Sequence, residues 1–216
     1  MEGISNMKCK MMYNHGTQIY TCSFCGEKYS EEDILSNPNP SCLSKVFEHL
    51  MVDLETLGTG PRAVITQIGA CWFDMEDNIG KTFSANINIQ SALDVGLQVD
   101  GDTIKWWFQQ PSRTFVNNTD KITKVLRQFA NFCTGAKHVW SHATFDMPIL
   151  FNAYRECGEK IPFHYRSPKD IRTLVWLWGG KAERPERDDK HDALADCLYQ
   201  VKYVTKCYKD IQDERN

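Results

Sequence analysis

The sequence lacks an apolar run long enough to cross a membrane, and it lacks an excess of positive charge. A membrane-spanning helix needs roughly 18 or more apolar residues in succession. The 25 Lys and Arg residues are outnumbered by 28 Asp and Glu residues, which gives a net charge of −3. Proteins that grip duplex DNA through many phosphate contacts do so with Lys and Arg. The composition therefore argues against such a protein, but allows an enzyme that handles nucleic acid locally with the help of metal ions.

The first segment, MEGISNMKCK, lacks the apolar core of a secretory signal. The nine cysteines are odd in number and are scattered through core-like segments such as GACWF and ADCLY. This distribution is typical of reduced thiols rather than of a disulfide framework. We therefore expect a cytoplasmic protein without a membrane partner.

The 216 residues suit one sizeable domain with a small appendage. The first 45 or so residues hold four of the nine cysteines and end in the turn-rich stretch SNPNPS. We predict a boundary between Pro40 and Val46. Residues 1–45 would form a cysteine-containing extension, and residues 46–216 the main domain.

Three strands at short spacing are predicted after that boundary, which indicates a meander. They are HLMVDLET, AVITQIGACWFDM and KTFSANINI. Helical periodicity then follows in four segments, with the short strand KHVWSH after the first of them. The helices are TDKITKVLRQFANFCTG, which Asp120 or Thr119 would cap, then FDMPILFNAYRECG, KDIRTLVWLW and DALADCLYQVKYVTKCY. The order predicts an α/β domain, a mixed sheet flanked by helices.

The stretch MVDLETLGTG places two carboxylates inside an apolar run. Residues two apart on a strand point the same way, so Asp53 and Glu55 would project together. Two adjacent carboxylates repel unless a cation lies between them, and their hard oxygens suit Mg²⁺ or Mn²⁺. On this pattern alone, a strand end exposed to water is the simpler interpretation.

Two further segments carry acidic residues. WSHATFDMPIL puts Asp146 just after a short strand, at the start of a helix. In HDALADC, His191 and Asp196 are five residues apart, about 140° on a helix, and cannot share one helical face. We therefore expect Asp192 to cap the helix, Asp196 to face inward and His191 to lie on the preceding loop as a general base. An exposed Asp196 and an ordinary loop His191 are the alternatives.

Together, DxE on a first strand, the Asp in F-D-x-P-x-L and the late H-x-x-x-x-D resemble the DEDDh family of 3′–5′ exonucleases, over roughly residues 47 to 210. Within it, TIKWWFQQ and KDIRTL resemble the phage DexA and exodeoxyribonuclease VIII-like branch. The resemblance implies a ribonuclease-H-like fold and release of nucleoside monophosphates from free 3′ ends. We expect DNA, in single strands, to be favoured. The alternatives are a 3′–5′ exoribonuclease and a non-catalytic nucleic-acid-binding or adaptor module.

The resemblance also implies residue roles. Two Mg²⁺ or Mn²⁺ ions would be held by Asp53, Glu55, Asp146 and Asp196, with Asp53 bridging them, and His191 would take a proton from the attacking water. The expected substrate contacts are Thr56, Leu57, Trp106, Phe145 and Met147. Trp106 and Trp107 lie about 100° apart on a helix, so at most one should face the core. For Trp106, packing at the core or rim is as good an interpretation as base stacking.

The extension contains Cys22-x-x-Cys25-Gly, the shape of a zinc knuckle. CSFCG resembles the opening half of the zinc-binding module of the unfoldase ClpX, although Lys45 stands where a second CxxC would end. We predict a structural Zn²⁺ held by Cys9, Cys22, Cys25 and Cys42, with His15 or His49 as alternatives to Cys9. A reduced, metal-free extension is the other interpretation. Such an extension could bind a partner protein.

Overall fold

The computed structural model describes residues 11–22, 28–36, 47–111, 120–179 and 191–214. The chain divides into two units, residues 1–46 and 47–216. In the described part of the smaller unit, three antiparallel strands in the order β1-β2-β3 precede a short helix. These elements are β1 (Met11–Asn14), β2 (Ile19–Cys22), β3 (Lys28–Tyr29) and α1 (Glu31–Ser36).

The predicted zinc ligands cannot be compared with this sheet. Cys9, Cys25 and Cys42 lie outside the described residues, as does the side chain of Cys22. Of the alternative ligands, His49 belongs to the larger unit, where its Nδ1 accepts a hydrogen bond from Trp140 Nε1 at 3.0 Å. The zinc site, and with it the role given to residues 1–45, stays a prediction.

The larger unit contains a five-stranded sheet in the order β6-β5-β4-β7-β8. The first three strands of the unit form the predicted antiparallel meander, and the last two run parallel to β4. The strands are β4 (His49–Thr56), β5 (Ile65–Phe73), β6 (Ile79–Asn86), β7 (His138–Ser141) and β8 (Pro168–Asp170). Because β4 lies in the centre, its residues are buried on both faces.

Helices cover both faces of this sheet. They are α2 (Ile89–Asp94), α3 (Gly101–Phe108), α4 (Ile122–Phe132), α5 (Asp146–Glu156), α6 (Ile171–Leu177) and α7 (Ala193–Asp213). Leu50 and Leu54 of β4 pack in one core cluster with α4 and α5, whereas Met51 packs in a second cluster with Ile171 and Val201 of α6 and α7. The predicted α/β class, a mixed sheet flanked by helices, is confirmed. No helix in the described ranges is long and apolar enough to cross a membrane.

Two local predictions are wrong. The N-cap of α4 is Lys121 and has no capping side chain, so Asp120 does not cap the helix; Thr119 lies outside the described residues. The Ile122 N–H donates instead to Ser91 Oγ at 3.0 Å, so a hydroxyl from another segment satisfies the helix end. The predicted helix KDIRTLVWLW begins only at Ile171, because Asp170 closes β8 and caps α6 through the Thr173 N–H.

Candidate active site

Asp53 and Glu55 are both buried, with exposed fractions of 8% and 7%. Their odd-numbered positions put them on the sheet face that Met51 shares with α7. The Asp53 carboxylate accepts a hydrogen bond from Gln200 Nε2 of α7 at 2.7 Å. A buried carboxylate needs such a partner or a cation. The two side chains project together as predicted, and the alternative of a strand end in water is wrong.

Asp146 lies where β7 gives way to α5, as predicted, and it is 2% exposed. Burial raises the pKa of its carboxyl to about 7, while backbone groups of His142 and Leu54 and the charge of Arg172 act in the opposite direction. The Leu54 backbone group that acts on Asp146 lies between Asp53 and Glu55 in the chain. The carboxyls of Asp53, Glu55 and Asp146 therefore lie in the same region. Asp146 Oδ2 has no hydrogen-bond partner in the described part of the chain.

The start of α7 supplies the remaining predicted groups. Asp192 caps the helix by accepting from the Ala195 N–H at 2.9 Å, and Asp196 is buried in the first turn. His191 precedes the helix with φ of 67°, an unusual backbone conformation for a residue other than glycine. These placements of Asp192, Asp196 and His191 agree with the sequence-based expectation.

Aromatic rings surround His191. Its ring contacts Trp106 edge to face, with centroids 4.7 Å apart and planes at 85°, and it contacts Trp107 at 5.7 Å and 76°. Trp107 Nε1 donates to the Thr56 carbonyl at 2.8 Å, which fixes that indole to the end of β4. Trp107 is 2% exposed and Trp106 is 41% exposed, so one of the pair faces the core, as predicted.

The donor set fits a divalent cation. Glu55, His191 and Asp196 each offer one ligand atom, and these atoms lie within 4.8 Å of one another. Asp53 and Asp146 add two buried carboxyls, and carboxylate oxygens are the ligands that Mg²⁺ and Mn²⁺ prefer. Without a cation these groups repel one another. The arrangement therefore favours a hard divalent ion at this edge of the sheet.

A cavity of about 560 Å³ opens beside Glu55. Of the predicted substrate contacts, Thr56, Trp106 and Phe145 line it, whereas Leu57 and Met147 are absent from its wall and are buried in the core. Their substrate role stays a prediction. Of the residues that the structure describes, no Lys or Arg lines the cavity; the polar side chains that do are those of Glu55, Thr56, Thr59, Asp100, Asp102 and Thr103.

The sequence analysis did not identify two residues of β5 that lie next to the carboxyl cluster. Gln67 pairs with Glu55 across the sheet, and Gly69 pairs with Asp53. Gln67 Oε1 accepts from the Ala193 N–H at 2.9 Å, and its Nε2 donates to Asp192 Oδ2 at 3.1 Å. Gln67 therefore anchors the start of α7 to β5 at the position next to Glu55 on the neighbouring strand. The signal in the sequence was a polar residue inside the apolar run AVITQIGACWF.

The raised pKa of Asp146 predicts how stability depends on pH. With a folded pKa of about 7 and an ordinary value of 3.8, the native protein keeps a proton that the unfolded chain releases between these pH values. The free energy of unfolding of the metal-free protein should therefore fall as pH rises through this window, by roughly 4 kcal/mol at most from this group. Urea unfolding in chelator at pH 5 and pH 7.5 measures it. Asp146→Asn should lose this component, and an identical pH dependence in both proteins would contradict the assignment.

Comparison with known proteins adds to this geometry. Residues 48–208 match the family model described as the 3′–5′ exoribonuclease Rv2179c-like domain. The structure resembles E. coli exonuclease I in complex with a dA16 oligonucleotide, with a TM-score of 0.56 and 15% identity over 78% of this chain and 43% of that one. It also resembles exonuclease X in complex with 5′ overhanging duplex DNA, with a TM-score of 0.51 and 15% identity over 75% and 92% of the two chains.

The chain thus spans less than half the length of the exonuclease I chains, 43% in that comparison. No curated protein matches it. At these identities the likeness establishes the fold, and it confirms the predicted ribonuclease-H-like architecture.

Proposed function

The chain belongs to the Rv2179c-like 3′–5′ exoribonuclease domain family, and from that premise we propose that it is a metal-dependent enzyme that releases nucleoside monophosphates from the 3′ ends of nucleic acid. The observation that supports this proposal best is the convergence of one imidazole and four buried carboxyls at one sheet edge. These groups are His191, Asp53, Glu55, Asp146 and Asp196. A structural or adaptor role gives no reason for gathering so many like charges in one place.

The four carboxyls would hold two Mg²⁺ or Mn²⁺ ions. When bound, such ions stabilise the attacking and leaving oxygens of a phosphodiester. The protein's own contribution is to position these carboxylates, and Gln200 does this for Asp53 through its amide. His191, as a neutral imidazole, would accept the proton of the attacking water. Its ring contacts with Trp106 and Trp107 would hold the imidazole in one position for this proton transfer.

The cavity beside Glu55 would receive the terminal nucleoside. Its aromatic wall suits a base, since Trp106 and Phe145 offer apolar ring surface. Its carboxylates and hydroxyls suit sugar hydroxyls, and the described part of its wall offers a phosphate no Lys or Arg. The substrate would therefore end in a nucleoside with a free 3′ hydroxyl.

RNA is the first candidate substrate, because the family is described as one of exoribonucleases. The acceptors in the cavity, Glu55 and Asp100 among them, are suited to a ribose 2′-hydroxyl, the group that separates RNA from DNA. DNA, which the sequence analysis favoured, is the second candidate. It is supported by the complexes of exonuclease I with a dA16 oligonucleotide and of exonuclease X with duplex DNA.

A degradation panel tests the proposal. Single-stranded and duplex RNA and DNA of matched sequence carry a label at the 3′ or the 5′ end, and products are resolved with Mg²⁺, with Mn²⁺ and with chelator. We expect mononucleotides to appear at once from 3′-labelled single-stranded RNA, and none to appear in chelator. Release that begins at the 5′ end, release without metal, or tight binding of every strand without turnover would each contradict the proposal.

A further inference from the structure

The start of α6 is fixed beside the carboxyl cluster. Asp170, the last residue of β8, accepts a hydrogen bond from the Ala143 N–H at 3.0 Å. Ala143 lies in the turn that joins β7 to Asp146 and α5. The first turn of α6 is therefore held against the segment that delivers Asp146 to the site.

Arg172 lies in that first turn with an exposed side chain. It makes no salt bridge with any residue in the described ranges. It follows Asp170 by two residues, so the backbone that carries it is held against the segment that leads to Asp146. The guanidinium is thus an exposed cation on the first turn of a helix that is anchored beside this segment, with donors available to an incoming phosphate.

Trp176 lies one turn further along the same helix and is 76% exposed. Four residues advance a helix by about 6 Å and rotate it by about 40°, so Trp176 and Arg172 share one side. Ile171 of α6 and Trp178, the residue that caps its C-terminus, pack into the core and are 2% and 6% exposed. The helix therefore presents a cation and an indole to solvent in line, leading away from Asp146.

A strand that reaches the active site needs such a surface. Among the described residues, no cation lines the cavity that would take the terminal nucleoside, and Arg172 offers one for the phosphates of the rest of the strand. Positive charge that follows the backbone, combined with aromatic rings that stack on bases, is how proteins hold single strands without sequence preference. Arg172 and Trp176 provide one of each.

We propose that Arg172 and Trp176 form a binding site for the nucleotides on the 5′ side of the scissile bond. Arg172 binds a backbone phosphate, and Trp176 stacks on a base of the same strand. The inference rests on the proposed function, because it supplies the same substrate with a second point of contact. It makes the enzyme prefer a strand of several nucleotides over a single nucleotide ester.

Two substrates separate this site from the catalytic site. One is a labelled single strand of RNA of about ten nucleotides, and the other is uridine 5′-(p-nitrophenyl phosphate), which carries a nucleoside and a scissile bond but no preceding nucleotide. For Arg172→Gln, we expect KM for the strand to rise about tenfold, and its dependence on log salt to weaken by about 0.7. Hydrolysis of the ester should be unchanged. Arg155→Gln is the control. It makes the same charge change at the far end of α5, about 13 Å along the helix from Asp146, and it should alter neither KM for the strand nor hydrolysis of the ester.

Trp176→Ala should weaken strand binding by about 5- to 100-fold, and it should also spare the ester. Equal loss on both substrates in Arg172→Gln would mean that Arg172 acts through Asp146, and it would overturn the proposal. Fluorescence anisotropy of the labelled strand in chelator is read alongside turnover. If wild type hydrolyses neither substrate, the proposed function fails; if wild type and Arg172→Gln bind the strand equally, the proposed binding site fails, whatever the turnover.

Discussion

Replacing Asp53 with Asn lowers the rate of nucleotide release by at least about a thousandfold, if the carboxyl cluster is the catalytic site. The substitution keeps the size of the side chain, and its carbonyl oxygen can still accept the hydrogen bond that Gln200 Nε2 donates to Asp53. It removes one negative charge from the centre of the divalent-ion site. Loss of a single preorganised electrostatic contact at a reacting centre costs about 10²–10³ in rate, and loss of a metal ligand costs at least as much.

The measurement is kcat on 3′-labelled strands at saturating Mn²⁺, with thermal unfolding as a check of folding. Metal-free Asp53→Asn should be no less stable than wild type, since one like charge has left a crowded cluster. Asp213→Asn provides the matched control, because Asp213 is exposed at the far end of α7, about 25 Å from Asp196. Full activity in Asp53→Asn would exclude this cluster as the catalytic site.

Replacing Gly69 with Ala destabilises the protein by about 3 kcal/mol or more. A Cβ at Gly69 would lie 2.2 Å from the carbonyl carbon of Ala193, 2.3 Å from its oxygen and 2.4 Å from the Leu194 nitrogen. These are backbone atoms of the first turn of α7, so the helix itself has to move. Overpacking of a core commonly costs 1–3 kcal/mol, and here no flexible side chain can give way. Displacement of α7 also carries Asp196 and His191 away from Glu55.

Urea unfolding measures the stability, and titration with Mn²⁺ measures how well the remaining site binds metal. Gly101→Ala is the control, since a Cβ at Gly101 meets nothing within 4 Å. It should leave stability nearly unchanged or raise it slightly, because Ala favours a helix more than Gly does. Wild-type stability and metal affinity in Gly69→Ala would contradict the close packing of α7 on β5.

The elements that the sequence predicted well are those with a strong periodicity of their own. HLMVDLET coincides with β4, and the helices around Asp146 and Asp196 were placed within a few residues. The missed elements are short and depend on other parts of the chain. The six residues of α2 follow a cap at Asn88, and the three residues of β8 are a strand only because they pair with β7. Such pairing leaves no periodic signal in so few residues.

The same division applies to the active site. The acidic residues and His191 were predicted from their types and their order in the chain. Gln67 and Gly69 were not, because their importance comes from the register that sets them opposite Glu55 and Asp53. The contact between Trp106 and His191 joins positions 85 residues apart (191 − 106) and follows from the packing alone.

The attachment of α7 has a consequence for how the proposed enzyme would lose activity. One helix and the two residues before it supply Asp196, His191 and the Gln200 amide that holds Asp53. The first turn of that helix meets the sheet through Gln67 and Gly69. Local opening of a helix costs less free energy than unfolding of a whole domain. Detachment of α7 alone would therefore abolish hydrolysis while the sheet stays folded. On heating, activity should be lost at a lower temperature than the circular dichroism signal of the β-strands.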